Sequence, residues 1–399
     1  MNQLRVEIGV RSAFAVGFLA FVSVGGAMMA KRLTVKTVRE RSFASACPAR
    51  KVFVELNGGM CRLVGRRLCN GVYRADDGQI LKKCERRDVS DPTARAIQFA
   101  RWLDGRGMRY IYVQAPSKMD RAGVLSLPVV PNESNAMADD FIARLQRAGV
   151  ATFDLREALA VTPEDVGRQF YRTDHHWNND AVFAAFGLLA PYLADVTKTD
   201  PAAVAGLVDA AAWRREVLPA CFLGSRGRRT GRLFAGVDDL IVYTPRFATR
   251  MSLDIPSKKI HRKGSFQETN MWRAKTLGKG VRTDCYSSLY VGGIYPLVCH
   301  KNEQVPIKAR ILVIGDSFVR PLEAFLSTVV AELVVIDPRR VAPGVTMVDC
   351  VKRMRPDIVL QVSTAGSFFS DVIGRAKTGR HVLFDYGLGG PLDLCNDRQ

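Results

Sequence analysis

Residues 309–318 read Ala-Arg-Ile-Leu-Val-Ile-Gly-Asp-Ser-Phe, and a helical pattern follows from about Val319. The apolar run at 310–314 predicts a buried strand that turns directly into a helix, which is the unit of an α/β fold. A serine on such a turn has its hydroxyl at the carboxyl end of a sheet and its amide at a helix N-terminus. Ser317 is therefore a candidate nucleophile.

The same alternation of strands and helices extends in both directions. Helical spacing occurs at 91–106 and 135–148, and a helix is predicted to start at Asn178 or Asn179. Strands are predicted at 109–115, 150–155, 310–314, 332–337, 357–362 and 381–384. Residues 198–309 are harder to order and are typical of a long β-rich insertion, with strand-like runs at 240–243 and 288–292.

A second motif supplies an acid and a base. Residues 171–178 read Tyr-Arg-Thr-Asp-His-His-Trp-Asn. In an extended segment successive side chains alternate sides, so Asp174 and His176 should share one side and His175 should point away. An orienting carboxylate beside an imidazole, combined with Ser317, predicts a Ser-His-Asp hydrolase or acyl transferase.

The N-terminus is typical of a targeting segment. Residues 12–30 carry no charge and are followed by Lys31 and Arg32. A helix of that length matches a hydrocarbon core of about 30 Å, which predicts an uncleaved signal anchor at 1–32. A cleaved signal peptide and a buried or amphipathic helix remain alternatives. The positive charges after the span favour a cytoplasmic body by the positive-inside rule, against the export that we predict.

The composition bears on the net charge of the protein and on the redox state of its cysteines. The 399-residue chain has 58 Lys and Arg against 39 Asp and Glu, a formal charge of +19, which predicts attraction to an anionic membrane, polymer or nucleic acid. Nine cysteines occur without any CxxC spacing. In an exported body Cys47, Cys61, Cys69 and Cys84 are candidates for pairing, and in a cytosolic body they are small buried hydrophobes.

Turn chemistry predicts a small β element before the main domain. Residues 51–83 are rich in glycine, and residues 70–81 have the Asn-Gly and Asp-Gly turns of a hairpin. We predict five regions along the chain. They are a targeting segment at 1–32, a linker with the small β element at 33–90, the first part of the α/β domain at 91–197, the insertion at 198–309 and the second part of the domain at 310–399.

Several of these motifs together resemble one family. The Tyr171 to Trp177 motif, the Gly-Asp-Ser-Phe turn at 315–318, Ala-Pro-Ser-Lys at 115–118 and Cys-Phe-Leu-Gly-Ser at 221–225 look like the DHHW protein family. That family is related to the alginate O-acetyltransferases of the AlgX and AlgJ type. The resemblance covers about residues 65–390. It implies an SGNH-hydrolase-like, flavodoxin-like parallel sheet flanked by helices, with the β-rich insertion and the N-terminal transmembrane helix added.

The resemblance also implies roles for individual residues. It maps a triad onto Asp174, His176 and Ser317, in which His176 takes the serine proton and Asp174 holds its tautomer. The amide of Ser317 or Phe318 is a candidate oxyanion donor, with Gly366 or Ser363 in place of the asparagine that SGNH enzymes usually supply. We predict contacts to substrate from Trp177, Tyr171, Lys118 and His175. No metal and no cofactor are predicted, because adjacent histidines on an extended segment do not easily reach one ion.

The implied function is a serine O-acyltransferase or esterase acting on acetyl groups of an extracytoplasmic polysaccharide. The predicted location is the outer face of a bacterial cell membrane, with a glycan and an unidentified acyl donor as partners. Two alternatives stay open: a carbohydrate-binding relative that has lost catalysis, and a polyanion-binding protein. Nucleic acid is not an expected partner, because no zinc finger, RNP-like motif or basic helix with interleaved aromatics occurs. Asp174 and His176 as a structural brace, and Ser317 as a helix cap, are the corresponding structural interpretations.

Overall fold

The structure is a computed structural model of the 399-residue chain, and it describes residues 50–119, 132–159, 162–272, 281, 285–342, 344–369 and 382–388. The predicted membrane anchor at 1–32 lies outside these ranges. Among the described helices, none combines the length and the apolar composition that a membrane crossing requires.

The centre of the fold is a mixed sheet of eight strands in the order β5-β4-β13-β11-β12-β10-β8-β9. The first five strands in this order are parallel, as predicted, and the last three are attached antiparallel. The strands in the described residues are β1 Leu68–Cys69, β2 Val72–Arg74, β3 Ile80–Leu81, β4 Arg109–Gln114, β5 Ala151–Asp154, β6 Trp213–Phe222, β7 Asp238–Pro245, β8 Met251–Ile255, β9 Ile260–Gly264, β10 Leu297–Asn302, β11 Ile307–Gly315, β12 Val330–Ile336 and β13 Ile358–Ser363.

The antiparallel edge corrects the prediction of a purely parallel sheet. Strands β8, β9 and β10 come from the insertion and extend the main sheet instead of covering it. Parallel neighbours need a long crossover, whereas short connections such as the one between β8 and β9 let the chain reverse direction. The remaining strands of the insertion, β6 and β7, form a separate two-stranded ribbon.

Helices cover both faces of the sheet. The helices in the described residues are α1 Arg50–Leu63, α2 Ser90–Asp104, α3 Ser134–Arg147, α4 Leu155–Ala158, α5 Pro163–Gln169, α6 Asn179–Val196, α7 Pro201–Val208, α8 Gly227–Thr230, α9 Arg232–Ala235, α10 Phe266–Thr269, α11 Cys285–Ser288, α12 Val319–Leu326 and α13 Met347–Met354. Alternate residues of β11 face opposite sides: Ile311 and Val313 lie in the core cluster with α6 and α12, and Leu312 lies in the cluster with α2, α3 and α13. This alternation is the period of a strand buried on both faces.

The small β element has the hairpin that its sequence predicts. Asn70 and Gly71 connect β1 to β2 with φ values of 48° and 75°, as a tight hairpin turn requires. Helix α1 was missed before this hairpin, because its glycines weaken the helical pattern. Tertiary contacts hold it instead: Arg62 donates to the Leu233 carbonyl at 3.2 Å, and Glu55 accepts from the Leu233 amide at 3.2 Å.

Two short strand predictions were wrong. Residues 382–384 form a 3-10 turn in which Leu383 and Phe384 are buried, since an apolar run can fill a core without pairing as a strand. Between 288 and 292 the structure has only an isolated bridge from Tyr290 to Met271.

Candidate active site

Ser317 lies on the turn between β11 and α12, at the carboxyl ends of the parallel strands. The turn is tight because Gly315 has no side chain. A Cβ at position 315 would stand 2.3 Å from Cγ2 of Val319 and 2.9 Å from the Val362 carbonyl oxygen. Glycine therefore lets the strand turn into the helix beside β13, and the serine hydroxyl projects from the edge where α/β folds build their sites.

The structure brings Asp174, His176 and Ser317 into one hydrogen-bonded chain. Nδ1 of His176 lies 2.7 Å from Oδ1 of Asp174, and Nε2 of His176 lies 2.7 Å from Oγ of Ser317. Asp174 and His176 are buried. The ring is thus held between a carboxylate and a hydroxyl that is 141 residues away in sequence. This arrangement can move a proton from the hydroxyl to the imidazole.

The segment that carries the acid and the base is not extended. Residues 172–176 form turns and bends, and Oδ1 of Asp174 accepts the amides of His175 at 2.6 Å and His176 at 3.1 Å. As a result the two imidazole rings lie together, with centroids 3.8 Å apart. The prediction that His175 points away from His176 was wrong, because a turn does not alternate side chains as a strand does.

The side chain of Lys118 stabilises this segment through hydrogen bonds. Its ammonium group is buried and donates to the carbonyls of Tyr171 at 2.7 Å, Arg172 at 2.7 Å and Asp174 at 3.0 Å. An ammonium has three N–H donors, so these bonds use all of them. The contacts make Lys118 a residue that positions the Asp174 segment, in place of the substrate contact or the solvated side chain that its loop position predicts.

Asp238 and the residues after β6 complete the support. Asp238, at the start of β7, accepts the amides of Arg172 and Thr173, each at 2.8 Å. The amide of Ser225 donates to Oδ2 of Asp174 at 2.5 Å. Sequence reasoning missed both roles. The Cys-Phe-Leu-Gly-Ser stretch at 221–225, which contributes to the family resemblance, was the available signal for Ser225, and Asp238 had none.

Two predicted substrate contacts lie in the core instead. Trp177 has no exposed surface, and its indole N–H donates to Tyr286 Oη at 2.8 Å and to the Phe318 carbonyl at 3.2 Å. Tyr171 is also buried, packed edge-on against Phe222 and Tyr286. Burial removes both residues from a substrate surface and corrects the prediction. Tyr286 was missed, although its ring stacks on His176 at a centroid distance of 4.1 Å.

The electrostatics of the site favour an ionised aspartate. Burial by itself raises the pKa of Asp174, but the charge of His176 and the hydrogen bonds from both histidines outweigh it and hold this pKa well below its usual range. Partial desolvation at the cavity wall, with a further contribution from the neighbouring His176, lowers the pKa of His175 to about 4. His175 is therefore neutral at pH 7, and its Nδ1 lies 2.9 Å from Oγ of Ser225.

One of the predicted oxyanion donors, the Phe318 amide, is already used within the turn. The Phe318 amide donates to Oδ1 of Asp316 at 2.8 Å, so it is not free for a substrate oxygen. The amides of Ser317 and Gly366 have no hydrogen-bond partner among the described residues. Ser363, the alternative to Gly366, is fully buried. The Ser317 and Gly366 amides are therefore the candidate donors that the described part of the chain offers.

A cavity of about 430 Å³ opens beside the serine. Ser317, His175 and Gly366 line it, and so does Asn132, a residue that sequence reasoning missed because no strand or motif precedes it. His175 is the predicted substrate contact that reaches this cavity and is not buried, with 40% of its side chain exposed.

The acid and both histidines also form a cluster with metal-ligand chemistry. One donor atom from each of Asp174, His175 and His176 lies within 4.8 Å of the others. The turn, unlike the extended backbone that we predicted, places both histidines where they can reach one ion. Hydrogen bonds occupy three of the four ring nitrogens: Nδ1 of His176 is bonded to Asp174, Nε2 of His176 to Ser317, and Nδ1 of His175 to Ser225. The absence of a metal from this site stays a prediction.

Comparison with known proteins adds a family match. Residues 73–208 match the family model described as "SGNH hydrolase-like domain, acetyltransferase AlgX". The sequence resemblance to this family is confirmed. The matched range includes Asp174 and His176 and ends before Ser317. No curated protein matches the chain.

Solved structures agree on the fold. Bacillus cereus PatB1 is 16% identical, with 79% of this chain and 99% of that chain covered, at a TM-score of 0.61, and its structure with a sulfonyl adduct matches over the same shares at 0.59. A DHHW family protein from Eubacterium siraeum is 15% identical over 78% of this chain and 95% of that chain, with a TM-score of 0.54. The family model over residues 73–208 supports an SGNH-like α/β fold with a mixed sheet and flanking helices, and these structures agree with that fold.

Proposed function

We propose that this protein is a serine O-acyltransferase or esterase that acts on acetyl esters of an extracytoplasmic polysaccharide. The observation that carries the proposal is the pair of 2.7 Å contacts that link Asp174 to His176 and His176 to Ser317. The AlgX family model, whose description names an acetyltransferase, supports the choice of acetyl groups.

The first half of the reaction forms an acyl-enzyme. Oγ of Ser317 attacks the ester carbonyl while Nε2 of His176 takes its proton. Asp174 stabilises the imidazolium that forms, and the amides of Ser317 and Gly366 bind the oxyanion. The tetrahedral intermediate then breaks the bond to the leaving alcohol, which takes the proton back from His176. The acetyl group remains as an ester on Ser317.

The second half regenerates the serine. A hydroxyl of the acceptor enters the cavity, gives its proton to His176 and attacks the acetyl carbonyl, and the bond to Oγ of Ser317 breaks with return of the proton. A sugar hydroxyl as acceptor makes the protein a transferase, and water makes it an esterase. The cavity lining next to Ser317 is polar, which suits a carbohydrate.

The experiment is capture of the acyl-enzyme. The purified chain is incubated with p-nitrophenyl acetate or with an arylsulfonyl fluoride, and tryptic peptides are examined by mass spectrometry. We expect the adduct on Ser317, and we expect its loss in Ser317→Ala and His176→Ala. The matched control is His261→Ala, because His261 also pairs with an aspartate, Asp254, on the β8–β9 hairpin. An absent adduct, or one formed equally in His176→Ala, contradicts the catalytic proposal.

Location is part of the same proposal. An acetylated envelope glycan lies outside the cytoplasm, and the uncharged stretch at 12–30 would keep the enzyme at the membrane. Alkaline phosphatase fused after Leu388 should be active. An inactive fusion would place the body in the cytoplasm, as the positive charges at 31–41 favour.

The second candidate is a glycan-binding relative without catalysis. It is favoured by the use of the Phe318 amide within the turn, since this leaves the serine fewer oxyanion donors. This candidate predicts glycan binding that is equal in the wild type and in Ser317→Ala, with no adduct in either.

A further inference from the structure

The cavity beside Ser317 has more positive charge than the proposed reaction uses. Six basic residues are among the described residues that line it: Lys82, Lys83, Lys118, Arg226, Arg229 and Arg339. Asp316 is the one carboxylate in that lining. Both of its oxygens already accept hydrogen bonds, from the Phe318 amide and from the Ser367 hydroxyl.

Three of the six cations have partners. Lys118 is bonded to the carbonyls under the Asp174 segment. Arg339 forms two 2.8 Å bonds to Asp337, and Lys83 pairs with Glu85 at 2.7 Å. These three side chains bond to groups of the protein itself, so their charges are less available to a ligand.

Lys82, Arg226 and Arg229 form no ion pair with any residue in the described ranges. Arg226 donates one N–H to the Ile80 carbonyl at 2.7 Å and keeps its other donors. The three charges act on one another. Partial desolvation at the cavity mouth lowers the pKa of Lys82, and the charges of Arg229 and Arg226 lower it further. Burial lowers the pKa of Arg226 to about 10, where it is still protonated at neutral pH.

Like charges that face one cavity repel. The charge of Asp174 offsets part of this repulsion for Arg226, and a bound anion removes more of it. A carboxylate neutralises one of the three. A phosphate monoester carries about −1.5 to −2 charges at pH 7 and has three strong acceptor oxygens, so it can accept from all three cations. Two of the three are arginines, whose planar fork matches phosphate oxygens.

We propose that Lys82, Arg226 and Arg229 bind a phosphate group on the glycan from which the acetyl group is removed or to which it is transferred. This inference rests on the proposed acyl transfer. Arg226 directly follows Ser225, whose amide holds Asp174. A phosphate bound there is fixed relative to the triad, which orients a nearby sugar hydroxyl toward Ser317.

The test measures binding without turnover. The Ser317→Ala chain is titrated by calorimetry, at low ionic strength, with glucose 6-phosphate, inorganic phosphate, glucuronate and glucose. We expect glucose 6-phosphate to bind about tenfold or more tightly than glucuronate, and its affinity to fall as salt is added. The double variant Lys82→Gln, Arg229→Gln should lose about tenfold, and both side chains are exposed, so the fold should tolerate the change.

The control is Arg228→Gln, an exposed neighbour that does not line the cavity, and it should bind as before. Equal affinity for inorganic phosphate and glucose 6-phosphate supports the site and assigns recognition to the phosphate alone. Tighter binding of the sugar phosphate supports a phosphorylated glycan. Phosphate binding no tighter than glucuronate binding overturns the inference. An adduct on Ser317 without phosphate binding leaves the proposed reaction intact, whereas phosphate binding without an adduct removes the reaction and its link to this site.

Discussion

Gly224 lies against Asp174 with no room for a side chain between them. A Cβ at position 224 would stand 2.3 Å from Cβ of Asp174 and 2.4 Å from its Oδ2. This close approach lets the next amide, that of Ser225, bond to the same carboxylate oxygen. The orientation of the acid thus depends on a glycine that lies 50 residues after it in the chain.

Gly224→Ala should displace Asp174 and lower the rate of p-nitrophenyl acetate turnover. Overpacking at a buried contact costs about 1–3 kcal/mol, so we also expect a lower unfolding temperature. The control is Gly206→Ala in α7, where an added Cβ meets nothing within 4 Å. That variant should keep its activity and gain about 0.5–1 kcal/mol. Equal activity in both variants would contradict a role for the Gly224 contact in orienting Asp174.

Lys118→Met should weaken both the fold and the reaction. It leaves the carbonyls of Tyr171 and Asp174 without their donor, while the Arg172 carbonyl keeps the Ile80 amide at 3.0 Å. We expect a loss of about 3 kcal/mol in urea unfolding and a fall in kcat larger than any change in KM. Lys258→Met, at an exposed position, is the control. A Lys118→Met protein with normal kcat would show that the hydrogen bonds of Lys118 do not position the triad.

Asp174→Asn should lower kcat by about 10³–10⁴, the loss seen when a triad aspartate becomes an amide in serine hydrolases. The neutral asparagine side chain cannot stabilise the imidazolium. Its NH₂ group would also face another donor, either Nδ1–H of His176 or the amide N–H of Ser225. Stopped-flow measurement of the acylation step checks the prediction. Asp254→Asn, which alters the exposed aspartate beside His261, is the control and should leave the rate unchanged. A loss below tenfold in Asp174→Asn would favour a structural brace.

His300→Leu should make the protein more resistant to acid. His300 is buried in β10, neither ring nitrogen has a hydrogen-bond partner in the described residues, and burial lowers its pKa to about 3. In the unfolded chain the pKa of His300 is near 6.5, so the unfolded chain is protonated at this residue at a higher pH than the folded protein. The contribution of this neutral histidine to stability is therefore full above about pH 6.5 and is lost as the pH falls toward 3, by up to roughly 5 kcal/mol.

Urea midpoints measured between pH 4 and pH 7 check this expectation. The wild type should lose stability toward pH 4 more steeply than His300→Leu, and stability at pH 7 should be equal or higher in the variant because an unpaired polar group is removed. Parallel curves for the two proteins would contradict it. His261→Leu is the control, since His261 is more than half exposed.

The local parts of the fold could be predicted from the sequence. The strand and helix around Ser317, helices α2, α3 and α6 and the Asn-Gly hairpin follow from periodicity and turn chemistry, which act between near neighbours. The predictions that failed depended on distant partners. Helix α1 is held by α9, and Leu383 and Phe384 fill a core between helices without joining the sheet.

The sequence by itself determined that a carboxylate, an imidazole and a serine occur in contexts suited to one site, and that the serine lies on a strand-to-helix turn. Tertiary structure alone decided that the two histidine rings lie together and that Lys118, Asp238 and Ser225 hold the Asp174 segment. It also decided that three cations without an ion pair among the described residues face the same cavity. The physical reason is that each of these contacts joins groups far apart in the chain or depends on a turn that they stabilise. Their geometry exists only after packing has fixed the backbone.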